Sequence, residues 1–158
     1  MNEFYKQFSN DGFFIHKNFI NKEYVKKILK EIKNAKKVDK YYDKKNNIRR
    51  IEKLYNKGIG LRDLNKKVVN FLKKNFKKEF HIFKDKYNAK PPNGEGFFAH
   101  YDGVFLFLNK KNQFKKGWYE YAKVFVNVLI ALDDCDKENG TIQLARKHEN
   151  NFEKLLKK

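Results

Sequence analysis

The strongest constraint on the fold is a change in the spacing of apolar residues near residue 80. Before this point, a helix is predicted after Asn21, because Asn is a residue type that caps helix N-termini. Its apolar residues recur at helical intervals: Val25, Ile28, Leu29 and Ile32. The same spacing predicts a second helix with these apolar residues: Leu61, Leu64, Val68, Phe71 and Leu72. The segment 33–50 between them is mostly Lys, Asn, Asp and Tyr and is predicted to be a solvated connection.

After residue 80 the pattern predicts short strands. They are expected at 81–83, within the aromatic stretch 97–108, at 124–132 (buried on both faces) and at 141–144, with turns at 91–96 and 133–140. Strands that follow one another without intervening helices indicate an antiparallel sheet. We therefore predict a single domain of the α+β class over residues 1–158. Residues 1–78 are expected to be mainly helical, and residues 79–158 are expected to form the sheet.

The charge of the chain narrows the range of partners. The 37 basic and 19 acidic residues give a formal net charge of +18, yet only four of the basic residues are arginine. Since arginine is the preferred group for bidentate contacts to bases and phosphates, we expect no sequence-specific nucleic-acid partner. The lysines predict a solvated surface with non-specific attraction to polyanions at low salt.

Other features of the sequence indicate the cellular compartment of the protein. Cys135 is the single cysteine, so no internal disulfide framework is possible and a reducing compartment is favoured. The longest apolar run, 124–132, is too short to span a bilayer, and no secretory signal opens the sequence. We expect a cytoplasmic protein without a membrane partner.

The triplet His100-Tyr101-Asp102 carries the clearest chemistry. In a strand, residues i and i+2 project from the same face, so the imidazole and the carboxylate would converge on one point. With one further histidine these groups would form the 2-His-1-carboxylate triad of non-haem Fe(II) oxygenases.

Four sequence blocks, in this order, resemble the phytanoyl-CoA dioxygenase family, which includes ectoine hydroxylase. They are F-S-N-D-G-F-F-I at 8–15, F-K-D-K-Y-N-A-K-P-P at 83–92, G-F-F-A-H-Y-D-G at 96–103 and N-V-L-I-A-L-D-D-C-D-K-E-N-G at 127–140. The resemblance implies a double-stranded β-helix of the jelly-roll, cupin-like type with N-terminal helices. It also implies Fe(II) and 2-oxoglutarate as cofactors, ascorbate as reductant, and hydroxylation of a small organic substrate.

The resemblance assigns roles to individual residues. His100 and Asp102 match the first two iron ligands, and Asn88 stands where related hydroxylases place an Asn that contacts 2-oxoglutarate. An ordinary turn residue before Pro91 is the alternative for Asn88. His148 is the remaining candidate for the third iron ligand, and an ordinary surface histidine is the alternative there.

The sequence departs from the family towards its C-terminus. No histidine follows His148, and Arg146 is the only arginine after Asp102, so the family's usual distal histidine and its 2-oxoglutarate-binding arginine have no clear counterpart. Three interpretations stay open: a truncated product, a fragment completed by a second chain, or a shortened fold in which His148 and Arg146 take the distal roles. We expect a β-helix without its last strands and little or no turnover by the chain alone. A non-catalytic basic binding module with the same fold is the alternative, and the substrate and oligomeric state stay undetermined.

Overall fold

Helices and short antiparallel strands make up the regular structure of this computed structural model, which describes residues 3–92, 100, 106–116 and 125–147. The helices are α1 (Glu3–Asp11), α2 (Lys22–Asn34) and α3 (Ile59–Phe76). The strands are β1 (Asp39–Tyr42), β2 (Ile48–Glu52), β3 (Lys86–Asn88), β4 (Leu106–Leu108) and β5 (Phe114–Lys116). This mixture agrees with the predicted α+β class. The described strands do not form a jelly roll, and the prediction of a jelly roll therefore stays open.

Both helices predicted from apolar spacing are present as α2 and α3. Asn21 caps α2, because its Oδ1 accepts a hydrogen bond from the Tyr24 backbone N–H at 2.9 Å. Helix α3 ends at Lys77, whose left-handed backbone (φ 55°) stops the helix while its N–H still donates to the Lys73 carbonyl. A local cap therefore fixes the start of α2, and a left-handed residue follows the end of α3.

The core lies where α2 and α3 pack on strand β2. Ile28 has no exposed surface, and five further residues are buried with it: Ile32, Ile51, Leu54, Leu61 and Leu64. A second, aromatic cluster joins α1 to α3, with Phe4 at its centre. Its rings contact Phe4 at centroid distances of 5.0–5.6 Å and belong to Phe8, Phe14, Phe71 and Phe76.

A three-stranded antiparallel sheet in the order β1-β2-β3 follows the helices. The prediction of a solvated connection over 33–50 is wrong, because β1 and the start of β2 lie in this segment. The turn between them is held by Asp43, whose Oδ1 accepts hydrogen bonds from the backbone N–H groups of Lys45 (2.9 Å) and Asn47 (2.8 Å). The many lysines and asparagines obscured a polar hairpin in which β1 is mostly exposed and β2 is partly to fully buried.

The later region of the chain forms fewer strands than predicted. Within the described residues, β4 and β5 pair as an antiparallel hairpin, but 81–83, 125–132 and 141–144 are not strands. The prediction that 124–132 is buried on both faces is wrong for its described residues. Ile130 and Leu132 pack against the core, whereas Leu129 is 62% exposed, since no neighbouring described strand covers its side. Among the described helices, none combines the length and apolar character that a bilayer crossing needs.

Candidate functional site

The β1-β2-β3 sheet has an apolar face and a polar face. Ile51 and Tyr87 are register partners, and both pack with the helical core. Arg50 and Glu52 alternate with Ile51 along β2, so their side chains project from the opposite face. The sheet thus attaches to the core on one side and presents charged groups on the other.

Arg50 is the central cation of the polar face. Its register partners are Tyr41 on β1 and Asn88 on β3, so the three side chains share this face. The guanidinium carbon lies 4.2 Å from the centroid of the Tyr41 ring, a cation–π contact. The Nε atom lies 3.0 Å from Oε1 of Glu52 and is buried, although the side chain as a whole is 39% exposed. The exposed surface of the Arg50 side chain therefore belongs to atoms other than Nε.

Glu52 is a buried carboxylate between two cations. It is 8% exposed, and its Oε1 lies 3.0 Å from Arg50 Nε and 3.0 Å from Lys84 Nζ. A buried carboxylate is tolerated when opposite charges lie this close. Next to it, burial raises the pKa of the Asp85 carboxyl, while hydrogen bonds from backbone N–H groups including those of Leu54 and Tyr55 oppose the rise and the Glu52 charge adds to it.

Asn88 is the last residue of β3, with its side chain exposed on the face that Arg50 occupies. The two residues that follow Asn88 fix this end of the strand. The Ala89 N–H donates to the Arg49 carbonyl at 3.0 Å, and the Lys90 ammonium donates to the carbonyl of Gly140. Gly140 ends the predicted turn with a φ of 82°, a conformation that suits glycine. The structure therefore places Asn88 in an ordered strand end beside a cation, not in an isolated turn.

The predicted metal ligands are only partly within the described residues. His100 is described and exposed, whereas Asp102 and His148 lie outside the described residues. Among the residues that the structure describes, no three His, Cys, Asp or Glu side chains group as a metal site would require. Arg146 is exposed, and its neighbour Lys147 donates from its N–H to the Asp11 carbonyl at 2.9 Å, at the end of α1.

Sequence reasoning missed Arg50. The only signal was local, namely a charged residue on either side of Ile51 in a segment read as a connection. Its proximity to Asn88 depends on the register between β2 and β3, which lie more than thirty residues apart in the chain. No spacing rule within one segment reports that contact.

Comparison with known proteins identifies the family. The model of the phytanoyl-CoA dioxygenase (PhyH) family matches residues 8–153, which is nearly the whole chain and includes the His100-Tyr101-Asp102 triplet and Asn88. Comparison with curated proteins and with solved structures gives no match. Proteins of the PhyH family are generally oxygenases that depend on Fe(II) and 2-oxoglutarate. The chain belongs to the phytanoyl-CoA dioxygenase family.

Proposed function

We propose that this chain carries an Fe(II)- and 2-oxoglutarate-dependent oxygenase that hydroxylates a small organic substrate. The family match over 8–153 is the observation that carries the proposal. When bound, iron and 2-oxoglutarate would supply an oxidative decarboxylation coupled to transfer of one oxygen atom to the substrate. The residues of the chain would hold the metal, orient the cosubstrate and position the substrate.

His100 and Asp102 are the proposed protein ligands of iron. A neutral imidazole and an ionised carboxylate two residues apart suit an Fe(II) site with open positions. His148 is the proposed third ligand, since it is the only histidine after the triplet. The ligand chemistry therefore fits the metal that the family uses.

Arg50 and Asn88 are the proposed contacts of the cosubstrate. A carboxylate of 2-oxoglutarate needs a cation or several donors, and a guanidinium supplies paired N–H groups in a planar fork. Arg50 shares a sheet face with Asn88, while Glu52 and Tyr41 hold the guanidinium from two sides. This arrangement would bring a basic group next to the cosubstrate, and the Asn88 amide would add a further donor.

The metal assignment is tested by anaerobic titration of the chain with Fe(II) or Mn(II). We expect binding in the wild type that Asp102→Ala strongly weakens, because the variant loses the only anionic ligand. The matched control is Asp133→Ala, an exposed aspartate in the turn at 133–140. Equal binding by the wild type and Asp102→Ala would remove the metal-site assignment.

The cosubstrate assignment is tested by calorimetric titration of the Mn(II)-loaded chain with 2-oxoglutarate. Loss of a charge-assisted bond costs about 1.5–3 kcal/mol, so Arg50→Ala should weaken binding about 10- to 150-fold. Arg49→Ala is the matched control, since it removes the same charge from the residue next to Arg50 on β2, at the register shift between β1 and β2. Equal losses in both variants would point to net charge instead of a contact from Arg50.

Turnover is tested by succinate release in the presence of Fe(II), ascorbate and 2-oxoglutarate. We expect slow or no release by the chain alone, and loss of any residual release in Asp102→Ala. Robust release that both His148→Ala and Arg146→Ala abolish would show that Arg146, and not Arg50, takes the distal role beside His148. Metal and cosubstrate binding without any release, in a version extended at its C-terminus as well, would favour the non-catalytic binding module.

A further inference from the structure

The β4–β5 hairpin exposes large apolar side chains on one face. Leu106, Leu108 and Phe114 are 75%, 56% and 76% exposed. Leu108 is the register partner of Phe114, and Leu106 is the partner of Lys116, so these four side chains share a face. Three large apolar groups side by side on one small element form a contiguous patch, which is typical of an interaction surface.

Lysines border this patch on two sides. Lys110 and Lys111 lie at the tip of the hairpin, and Lys115 and Lys116 lie on β5. The tip is ordered by Asn109, whose Oδ1 accepts hydrogen bonds from the backbone N–H groups of Lys111 (2.9 Å) and Gln113 (3.0 Å). The sequence 103–119 contains these four lysines and no acidic residue. The element therefore has one mainly apolar face, which includes Lys116, and all of its charged residues are lysines.

The hairpin packs on no other helix or strand of the described residues. A two-stranded hairpin is only marginally stable in water when nothing covers a face of it. A partner that covers the leucines and the phenylalanine while it neutralises the lysines would therefore stabilise the hairpin.

We propose that the β4–β5 hairpin binds the surface of an anionic lipid membrane. The apolar patch would enter the boundary between headgroups and acyl chains, and the four lysines would lie among anionic headgroups. Nucleic acid would neutralise the lysines but would leave the apolar patch exposed. A second copy of the chain would bring two sets of lysines together and repel. Composition alone leads to the expectation of no membrane partner, since it shows no spanning segment and cannot show this face. The inference does not depend on the proposed oxygenase activity.

The test is flotation of the full chain with phosphatidylcholine vesicles, with and without phosphatidylserine. Lys110, Lys111, Lys115 and Lys116 are replaced together by Gln in one variant, and Leu106, Leu108 and Phe114 by Ser in another. The matched control replaces the exposed lysines Lys22, Lys26, Lys30 and Lys33 of α2 by Gln, which removes the same charge elsewhere. Binding of duplex DNA is measured for every variant, and sedimentation equilibrium reports association between copies.

We expect the wild-type chain to bind vesicles that contain phosphatidylserine and to bind vesicles of phosphatidylcholine alone only weakly. The hairpin lysine variant should lose about 100-fold or more in partitioning, and the apolar variant should lose vesicle binding while it keeps DNA binding. Equal losses in the α2 control would overturn the proposal in favour of net charge alone. Unchanged vesicle binding in the apolar variant would overturn it in favour of a general attraction to polyanions. Dimerisation that this variant abolishes would overturn it in favour of a second copy of the chain.

Discussion

Among the described residues, the buried apolar side chains lie in the helices and around the first sheet, whereas the apolar side chains after residue 100 are exposed or only partly buried. The buried apolar residues of the described chain all lie between Phe4 and Leu72, and Leu129, Ile142 and Leu144 in the later region are at least half exposed. A helix pairs its own backbone groups and needs only one packed face, but a strand needs neighbours on its edges as well. Similar apolar residues therefore have different surroundings because the two regions use elements with different needs.

The largest test of this contrast compares two aliphatic truncations. Ile28→Ala removes a side chain with no exposed surface from the core and should lower the free energy of unfolding by about 2–5 kcal/mol. Leu129→Ala removes a mostly exposed side chain and should cost under about 0.5 kcal/mol. Urea denaturation followed by circular dichroism measures both. A cost for Leu129→Ala that approaches that of Ile28→Ala would show that the later region is packed in solution and would break the contrast.

The same contrast explains how much of the fold the sequence could predict. Helices α2 and α3 were predictable because their apolar spacing and the Asn21 cap are local signals. The segment 125–132 has a strand-like composition, yet strand formation depends on a partner that its own residues do not specify. Hairpin β1–β2 was missed for the opposite reason, since β1 is mostly exposed and the segment is dominated by charged and polar residues.

The residues of the candidate site also differ in whether the sequence can predict them. The triplet at 100–102 and Asn88 can be proposed from the sequence, because short motifs in family order contain them, and their roles stay predictions. Arg50 cannot, because its relation to Asn88 arises only when β2 pairs with β3. Glu52 cannot either, since its burial between Arg50 and Lys84 is a product of the folded sheet.

The next largest effect concerns the contact that fixes α3 to α2. No side chain of its own caps α3; instead Glu31 on α2 accepts hydrogen bonds from the N–H groups of Gly60 (2.9 Å) and Leu61 (2.8 Å). Glu31→Ala leaves both donors without this carboxylate in a partly buried place and should cost about 2–3 kcal/mol of unfolding free energy. Glu23→Ala, on the exposed side of the same helix, is the control and should cost little. Equal small losses in the two variants would show that water replaces the Glu31 contact.

A glycine makes this contact possible. A Cβ atom at Gly58 would overlap the Glu31 carboxylate, so Gly58→Ala should displace the cap and cost about 1–2 kcal/mol of unfolding free energy. The same substitution in a Glu31→Ala background should cost much less, because the overlapping group is gone. A double-mutant cycle in urea measures this coupling. Additive losses would show that the cost of Gly58→Ala does not come from the close approach of Glu31.

The smallest expected effect is a dependence of stability on pH at Asp85, which immediately precedes β3 in the first region. Burial raises the pKa of Asp85 above its usual range, so its ionised form disfavours the folded state. This penalty is absent at pH values below the usual aspartate pKa, grows as the pH rises through the raised pKa, and then stays constant. Asp85→Asn should therefore be more stable than the wild type at neutral pH, and this difference should vanish in acid. Urea denaturation at a series of pH values measures the difference in free energy of unfolding between the variant and the wild type. The other carboxyls titrate in both proteins, so their contributions cancel in this difference.

Asp43 supplies a control of opposite sign. The backbone N–H of Asn47 donates to its carboxylate and lowers the pKa of Asp43, so the ionised form favours the folded state. That contribution is present above the usual aspartate pKa and is lost as the pH falls through the lowered value. Asp43→Asn should therefore be less stable than the wild type at neutral pH, with the difference closing in acid. At neutral pH each variant raises the net charge of an already basic chain by one, so the two variants differ only in the local surroundings of the carboxyl. If the stability difference from the wild type changed with pH in the same direction for both variants, overall charge would govern the pH dependence.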